Sequence, residues 1–152
     1  GVGRGRVAGA PLKLEVLVMG CQGAGKSLLV RRMKELCGVR VPVDILDTQP
    51  TLGVELDEFP AYDGASLTVR EVGGSFVQVW PNFFDDCGAW AFVVDTSDEG
   101  MLSTAAVELW EVLNNPKMAT KPCLVICNKT DAPLTTPHAE VCGVLRVGEL
   151  GG

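Results

Sequence analysis

The chain has 152 residues, 47% apolar and 21% charged, which is the composition of one ordinary globular domain and not of a disordered chain. Thirteen Lys and Arg against nineteen Asp and Glu leave a net charge of −6, which argues against a nucleic-acid partner because the broad basic field is missing. The longest unbroken apolar run, Ala89 to Val94, falls far short of the roughly 18 residues that suggest a membrane span.

Gly1 to Lys13 (GVGRGRVAGAPLK) is rich in Gly and Pro and reads as a flexible leader, with the folded domain expected over residues 14–152. It has no apolar core of a secretory signal, no helical apolar period and no Ser or Thr where a myristoylation signal needs one. No transmembrane segment and no lipid anchor is therefore expected. Leu14 to Met19 (LEVLVM) predicts a buried strand. A Gly-rich loop follows, and Leu28, Leu29, Met33 and Leu36 then recur near helical spacing, so a helix should start at about Lys26 and stop at Gly38. Val39 to Thr51, with two prolines and no period, reads as a loop.

Val54 to Phe59 and Leu67 to Val72 predict two strands joined by the turn-forming Asp63-Gly64 pair. Ala89 to Val94 predicts an apolar strand that ends at Asp95. Ser103 to Leu113 predicts a helix capped by Ser103, carrying Ala106, Leu109, Trp110 and Leu113. Pro122 to Cys127 is another buried strand, and Thr136 to Val147 a last helix with Pro137 in its first turn. Apolar strands alternating with helices imply an α/β fold, its sheet mostly parallel with one antiparallel strand and covered on both faces.

Six cysteines, in mostly apolar surroundings and without a secretory signal, read as reduced, buried structural thiols of a cytoplasmic protein. Cys123, Cys127, His138 and Cys142 raise the idea of zinc. Cys123 and Cys127 lie four residues apart on one strand, about 13 Å, which is too far for two ligands of one ion.

Gly20 to Ser27 reads GCQGAGKS and satisfies G-x-x-x-x-G-K-[ST] between a strand and a helix, the context this motif requires. Glycines let the backbone wrap a phosphate with its N–H groups inward, and the helix N-terminus adds a positive dipole end. Lys26 supplies a cation to the β- and γ-phosphates, and Ser27 a hydroxyl to Mg²⁺. The motif points to a nucleoside triphosphate site without choosing the base. That choice falls to Asn128-Lys129-Thr130-Asp131, directly after the strand that ends at Cys127, at the sheet edge where ligands sit in open α/β folds. Guanine offers N1–H and its N2 amino group side by side, and one carboxylate accepts both, which makes Asp131 the base reader. Leaving such a carboxylate unpaired against adenine discriminates on the order of 10⁴-fold. Asn128 would tie this loop to the phosphate loop, and the stem of Lys129 would cover the base plane.

Together these residues resemble the small GTPases, and among them the ADP-ribosylation-factor-like branch. Pro50-Thr51-Leu52-Gly53 is similar to that family's first switch, Glu71-Val72-Gly73-Gly74 to its D-x-G-G, Trp80 to Phe84 to its W-x-x-Y-F segment, and Phe92 to Asp95 to its fourth strand. The resemblance spans about Leu14 to Val147. It implies the P-loop NTPase three-layer sandwich, GTP/GDP and Mg²⁺ as cofactors, and effector, exchange-factor or activator proteins as partners at the switches. It also implies a role in intracellular membrane trafficking or cilium-related regulation. The implied nucleotide contacts are Gly20, Cys21, Gln22, Gly23, Ala24, Gly25, Lys26, Ser27, Leu28, Thr51, Gly74, Asn128, Lys129 and Asp131. The implied metal contacts are Ser27, Thr51 and, through water, Glu71. Thr51 and the Gly74 N–H would meet the γ-phosphate and order the switches with GTP.

The chain also departs from the family. Glu71 stands for Asp, one methylene longer. Ser75 stands for the Gln that orients the attacking water, so of the implied catalytic positions Gly74 and Ser75 the second is degenerate, and GTP hydrolysis should be slow or activator-dependent. Arg70 and Val54 replace aromatic residues, the stretch from Ser75 to Trp80 is short, and the amphipathic N-terminal helix is not recognisable. The family continues with another strand, a guanine-contacting loop and a final helix, whereas this sequence stops at Gly152. A truncated domain lacking that last strand and helix is therefore expected, with Pro122 to Cys127 at an open sheet edge, apolar surface bare and nucleotide affinity reduced, unless Val141 to Leu150 fills the gap. Two other functions stay open at this point. One is a scaffold that has lost its nucleotide cycle; the other is an ATP-dependent P-loop kinase with Asp95 on Mg²⁺.

Overall fold

The computed structural model describes residues 12–41 and 50–150. Five strands form one sheet in the order β2-β3-β1-β4-β5: β1 (Lys13–Met19), β2 (Val54–Tyr62), β3 (Ala65–Val72), β4 (Ala89–Asp95) and β5 (Cys123–Asn128). β1 pairs in parallel with β3 and β4, and β4 in parallel with β5. Only β2 runs antiparallel, beside β3. Asp63 and Gly64 both take positive φ, 50° and 81°, which is the turn that matches strand twist in a tight hairpin.

Helices α1 (Lys26–Leu36), α2 (Glu99–Leu113) and α3 (His138–Leu145) lie on the two faces of the sheet. Alternation along the central strands divides the core. Leu17, Met19, Val72, Trp90, Phe92 and Val94 pack with Leu102, Leu109, Val141 and Leu145 of α2 and α3. Val18, Val69, Ala91 and Val93 pack with Val30 of α1 in a smaller cluster. Fully burying each large side chain of the first cluster contributes about 1.5–3 kcal/mol, so that face dominates stability.

Several boundaries differ from the sequence reading. Lys13, placed at the end of the leader, is the first residue of β1; residues 1–11 of that leader lie outside the described residues, as do 42–49 of the predicted loop. Helix α2 starts at Glu99, because Asp98 and not Ser103 caps it: the Met101 N–H donates to Asp98 Oδ1 at 3.2 Å. An aspartate accepts the orphan N–H of a first turn as well as a serine does, and Glu99 adds a favourable charge there. Its buried face is Leu102, Ala105, Leu109 and Val112, while Trp110 is half-buried and donates through Nε1 to the Leu145 carbonyl at 2.9 Å. A 3₁₀ helix over Val77–Phe83 was not foreseen; Pro81 inside it hides any longer period. The last helix is shorter than expected, with Pro137 at its N-cap and a 3₁₀ turn, Val147–Glu149, after it.

The cysteines are free, as expected, but only Cys21 and Cys87 are buried. Cys37 is exposed because it caps the end of α1, and Cys123 because it opens the edge strand β5. Among the described residues no group of three or more His, Cys, Asp and Glu side chains could hold a metal, which leaves the zinc idea without a site. On the α1 face, an apolar groove of about 330 Å³ runs between Met33 and Leu124, and Leu124 is 61% exposed. Val141 and Leu145 are fully buried against α2 on the other face, so α3 does not fill this groove.

Candidate functional site

The loop between β1 and α1 carries the motif, and its shape follows from its glycines. Gly25 sits at φ 94° immediately before the helix, and a Cβ there would lie 2.3 Å from Asn128 Nδ2. Only glycine allows both that backbone and that close approach. Lys26 is 5% exposed, and its ammonium donates to the Gly20 and Cys21 carbonyls, both at 2.9 Å. Burial pushes its pKa down, with the nearby Glu71 carboxylate opposing that shift.

Three oxygen-bearing side chains meet beside Lys26. Ser27 Oγ donates to Glu71 Oε1 at 2.6 Å, Thr51 Oγ1 donates to the same oxygen at 3.2 Å, and the two hydroxyls are 2.9 Å apart. They arrive from the start of α1, the segment before β2 and the end of β3. Glu71 is 1% exposed, and its second oxygen, Oε2, has no partner among the described residues. Burial raises its pKa, while the hydrogen bonds from Ser27 and Thr51 lower it less. A buried carboxylate with an orphaned oxygen beside two hydroxyls is a donor set that suits a hard cation such as Mg²⁺.

Gly73 and Gly74 close the site from the other side. A Cβ on Gly74 would lie 2.3 Å from the Gln22 nitrogen, and one on Gly73 would lie 2.3 Å from the Thr51 carbonyl oxygen. The Gly73 N–H donates to the Gly53 carbonyl at 2.8 Å, and Trp80 Nε1 donates to the Gly73 carbonyl at 3.3 Å. The unforeseen 3₁₀ helix thus buttresses the glycine pair. The resulting cleft, about 280 Å³, is lined by Gln22, Gly23, Gly25, Lys26, Ser27, Leu28, Pro50, Thr51, Glu71, Gly74 and Lys129.

The loop after β5 is tied to the phosphate loop as the sequence suggested: Asn128 Nδ2 donates to the Ala24 carbonyl at 3.0 Å. Lys129, at φ 61°, donates to the Gly23 carbonyl at 2.6 Å and to Asp95 Oδ2 at 2.7 Å. Burial alone would raise the Asp95 carboxyl, but hydrogen bonds from Lys129 and Ser97 bring it below its ordinary pKa. Both Asp95 oxygens are engaged, one by Lys129 and the other by the Ser97 N–H and hydroxyl. Asp131 and Ser75 are exposed and do not line the cleft, so the structure leaves these two apart from the cluster.

Sequence reasoning missed two long-range partners. One is Asp95 as the mate of Lys129. The other is Glu108 of α2, whose Oε2 accepts the Cys21 S–H at 3.2 Å. Burial first, and then this hydrogen bond, push the Cys21 thiol up to about 12, so it stays protonated. No local pattern announces either contact. Arg70 pairs with Glu15 at 2.5 Å and lies over the Phe83 ring at 5.0 Å.

The model of the ADP-ribosylation factor family matches residues 6–151 of this chain. Human ADP-ribosylation factor-like protein 16 is 30% identical over 148 residues, covering 95% of this chain and 74% of that protein. ADP-ribosylation factor-like protein 1 of Saccharomyces cerevisiae is 31% identical over 144 residues, covering 93% and 74%. Among solved structures, the Arl6 (BBS3) small GTPase of Trypanosoma brucei, with the nucleotide analogue GppNp bound, is similar at a TM-score of 0.77 and 26% identity, covering 92% of this chain and 81% of that one.

Proposed function

The chain belongs to the ADP-ribosylation factor family, and on that premise we propose that it is a guanine-nucleotide-dependent molecular switch. The observation that carries this reading is the convergence of Lys26, Ser27, Thr51, Glu71 and Gly74 on one cleft that Lys129 also lines. The inward N–H groups and Lys26 hold the β- and γ-phosphates. Lys26 gains its phosphate contacts without leaving the loop, because its two carbonyl partners belong to that loop. Asn128 holds the base-reading loop against Ala24, and Asp131, exposed on that loop, is the carboxylate that would accept the two guanine donors.

Ser27, Thr51 and Glu71 are the residues that would hold Mg²⁺, which neutralises phosphate charge when bound. Thr51 and Gly74 act together as the sensor of the third phosphate. Gly73 lies against Thr51, and Gly74 against Gln22, so displacing either segment displaces its neighbour. Leu52, Val54 and Leu56, at 83%, 40% and 57% exposed, alternate along the chain directly after Thr51 and offer an apolar surface for effector, exchange-factor or activator proteins. Ser75 is too short to orient a hydrolytic water, so turnover is slow or supplied by an activator. The family relation supports a cytoplasmic role in membrane trafficking or cilium-related regulation. No helix among the described residues is long and apolar enough to cross a membrane.

The ATP-dependent kinase reading needs Asp95 on a metal, yet both its oxygens are engaged elsewhere. Displacement of a fluorescent guanine nucleotide separates the two. GTP and GDP should compete at micromolar concentration or below and ATP should not. Equal competition by ATP would overturn the guanine reading.

A further inference from the structure

Hydrolysis of a bound triphosphate needs a side chain that orients the attacking water, one that accepts a hydrogen bond from it and can donate another. Ser75 does not meet this need, since it is exposed and lies outside the cleft. Elimination among the side chains that line the cleft leaves one group. Lys26 and Lys129 can only donate, and both are engaged on loop carbonyls. Ser27, Thr51 and Glu71 are bonded to one another. The side chains of Leu28 and Pro50 offer neither donor nor acceptor. Gln22 remains: it lines the cleft and is exposed. Cys21 and Lys26 of the same loop are committed to protein partners, whereas among the described residues no hydrogen bond engages the Gln22 amide.

Position 22 also lies where such a group must act. A Cβ on Gly74 would fall 2.3 Å from the Gln22 nitrogen. One further bond at each end puts the two Cα atoms within about 5.3 Å of each other. Consecutive Cα atoms are about 3.8 Å apart, so position 22 is nearly as close to Gly74 as position 75 is. Reach separates the two. A glutamine carries its amide oxygen and nitrogen four bonds from Cα, a serine its hydroxyl only two. The backbone around Gln22 is fixed on both sides, by Lys26 on the Gly20 and Cys21 carbonyls and by Lys129 on the Gly23 carbonyl. A group on a fixed loop beside the reacting phosphate loses little freedom on reaction.

We propose that Gln22 is a catalytic residue for GTP hydrolysis, supplying from the phosphate loop the amide that Ser75 cannot. Its Oε1 accepts a hydrogen bond from the attacking water, and its Nε2–H donates to a γ-phosphate oxygen. The water oxygen bonds to the γ-phosphorus as the bond to the β–γ bridging oxygen breaks. The electron pair leaves on GDP, and the proton of the water passes to the released phosphate. The proposal rests on the guanine-nucleotide reading above, with Gly74 at the third phosphate.

The test is single-turnover release of inorganic phosphate from the whole chain loaded with GTP and Mg²⁺, comparing the unaltered protein with Gln22→Ala and Gln22→Met. Methionine keeps the length of the side chain and removes the amide. Rates are normalised to the GTP loaded, so a variant that loads less still reports its own rate. Both variants should be slower by roughly 10- to 100-fold, the scale on which lost orientation acts. An undiminished rate in either variant overturns the assignment and leaves the guanine reading intact. So does an unaltered protein that holds GTP and releases no phosphate. An unaltered protein that loads no GTP overturns both.

Discussion

Replacing Gly74 by alanine tests how tightly the glycine pair is seated on the phosphate loop. The added Cβ would meet the Gln22 nitrogen at 2.3 Å, the Cys21 carbonyl carbon at 2.5 Å and the Gly20 oxygen at 2.6 Å. All three are backbone atoms, so no side chain can rotate away. Real Cβ contacts essentially never fall under 3.0 Å, so the segment must retreat by about 0.7 Å or more. It is held from behind by the Gly73 bond to Gly53 and by the Trp80 indole on the Gly73 carbonyl. Overpacking of this kind costs about 1–3 kcal/mol. If Gly74 senses the third phosphate, that cost falls on the triphosphate state, and a non-hydrolysable GTP analogue should bind roughly 5–150-fold more weakly. GDP, which lacks that phosphate, should lose less than about 3-fold on the same scale. Titration of both nucleotides against the purified variant, with urea unfolding as a control, measures the split. Equal losses for the two nucleotides, or none for either, would refute the reasoning.

Asp131→Asn should move preference from guanine to xanthine nucleotides by on the order of 10⁴, since the amide can donate to the xanthine oxygen but no longer accepts two donors; competition between GTP and XTP reads this out. Ser75→Gln, at an exposed position, should leave stability unchanged and raise single-turnover GTP hydrolysis by up to roughly 10²-fold. No gain would mean that position 75 does not limit turnover. Asp95→Asn tests the pair with Lys129. The folded Asp95 carboxyl titrates below its ordinary value, so it adds stability above about pH 4, and that contribution disappears as pH falls through the lower folded pKa. With Lys129 39% exposed, the loss at pH 7 should stay under about 1 kcal/mol and shrink as pH falls below the ordinary carboxylate range, as measured by urea unfolding.

What the sequence made legible was local. The phosphate loop, its strand and its helix occupy neighbouring residues, and each obeys a rule that needs no partner. The Asp63-Gly64 hairpin and the antiparallel β2 follow from one turn. Asn128 was legible as a tether because its place after an apolar strand brings it to the end of the sheet beside the phosphate loop, although that strand, β5, proves to be a half-exposed edge and not the buried strand expected. The start of α2 was misread because Ser103 and Asp98 are both acceptable caps, and only burial of Leu102 decides between them. The 3₁₀ helix over Val77–Phe83 was invisible because its role is tertiary: Trp80 packs edge-on against Phe92 and donates to Gly73. Glu108 under the phosphate loop and Asp95 beside Lys129 join residues 87 and 34 positions apart, and no spacing rule reaches across such distances.

The central claim is that a triphosphate sits on the phosphate loop while the loop after β5 reads guanine. Isothermal titration of the folded 152-residue chain with Mg²⁺ and GDP, GTP or ATP tests it most directly. Saturable binding of one GDP or GTP per chain, abolished by Lys26→Ala and absent with ATP, is the expected result. No binding of either guanine nucleotide to material shown to be folded would contradict it.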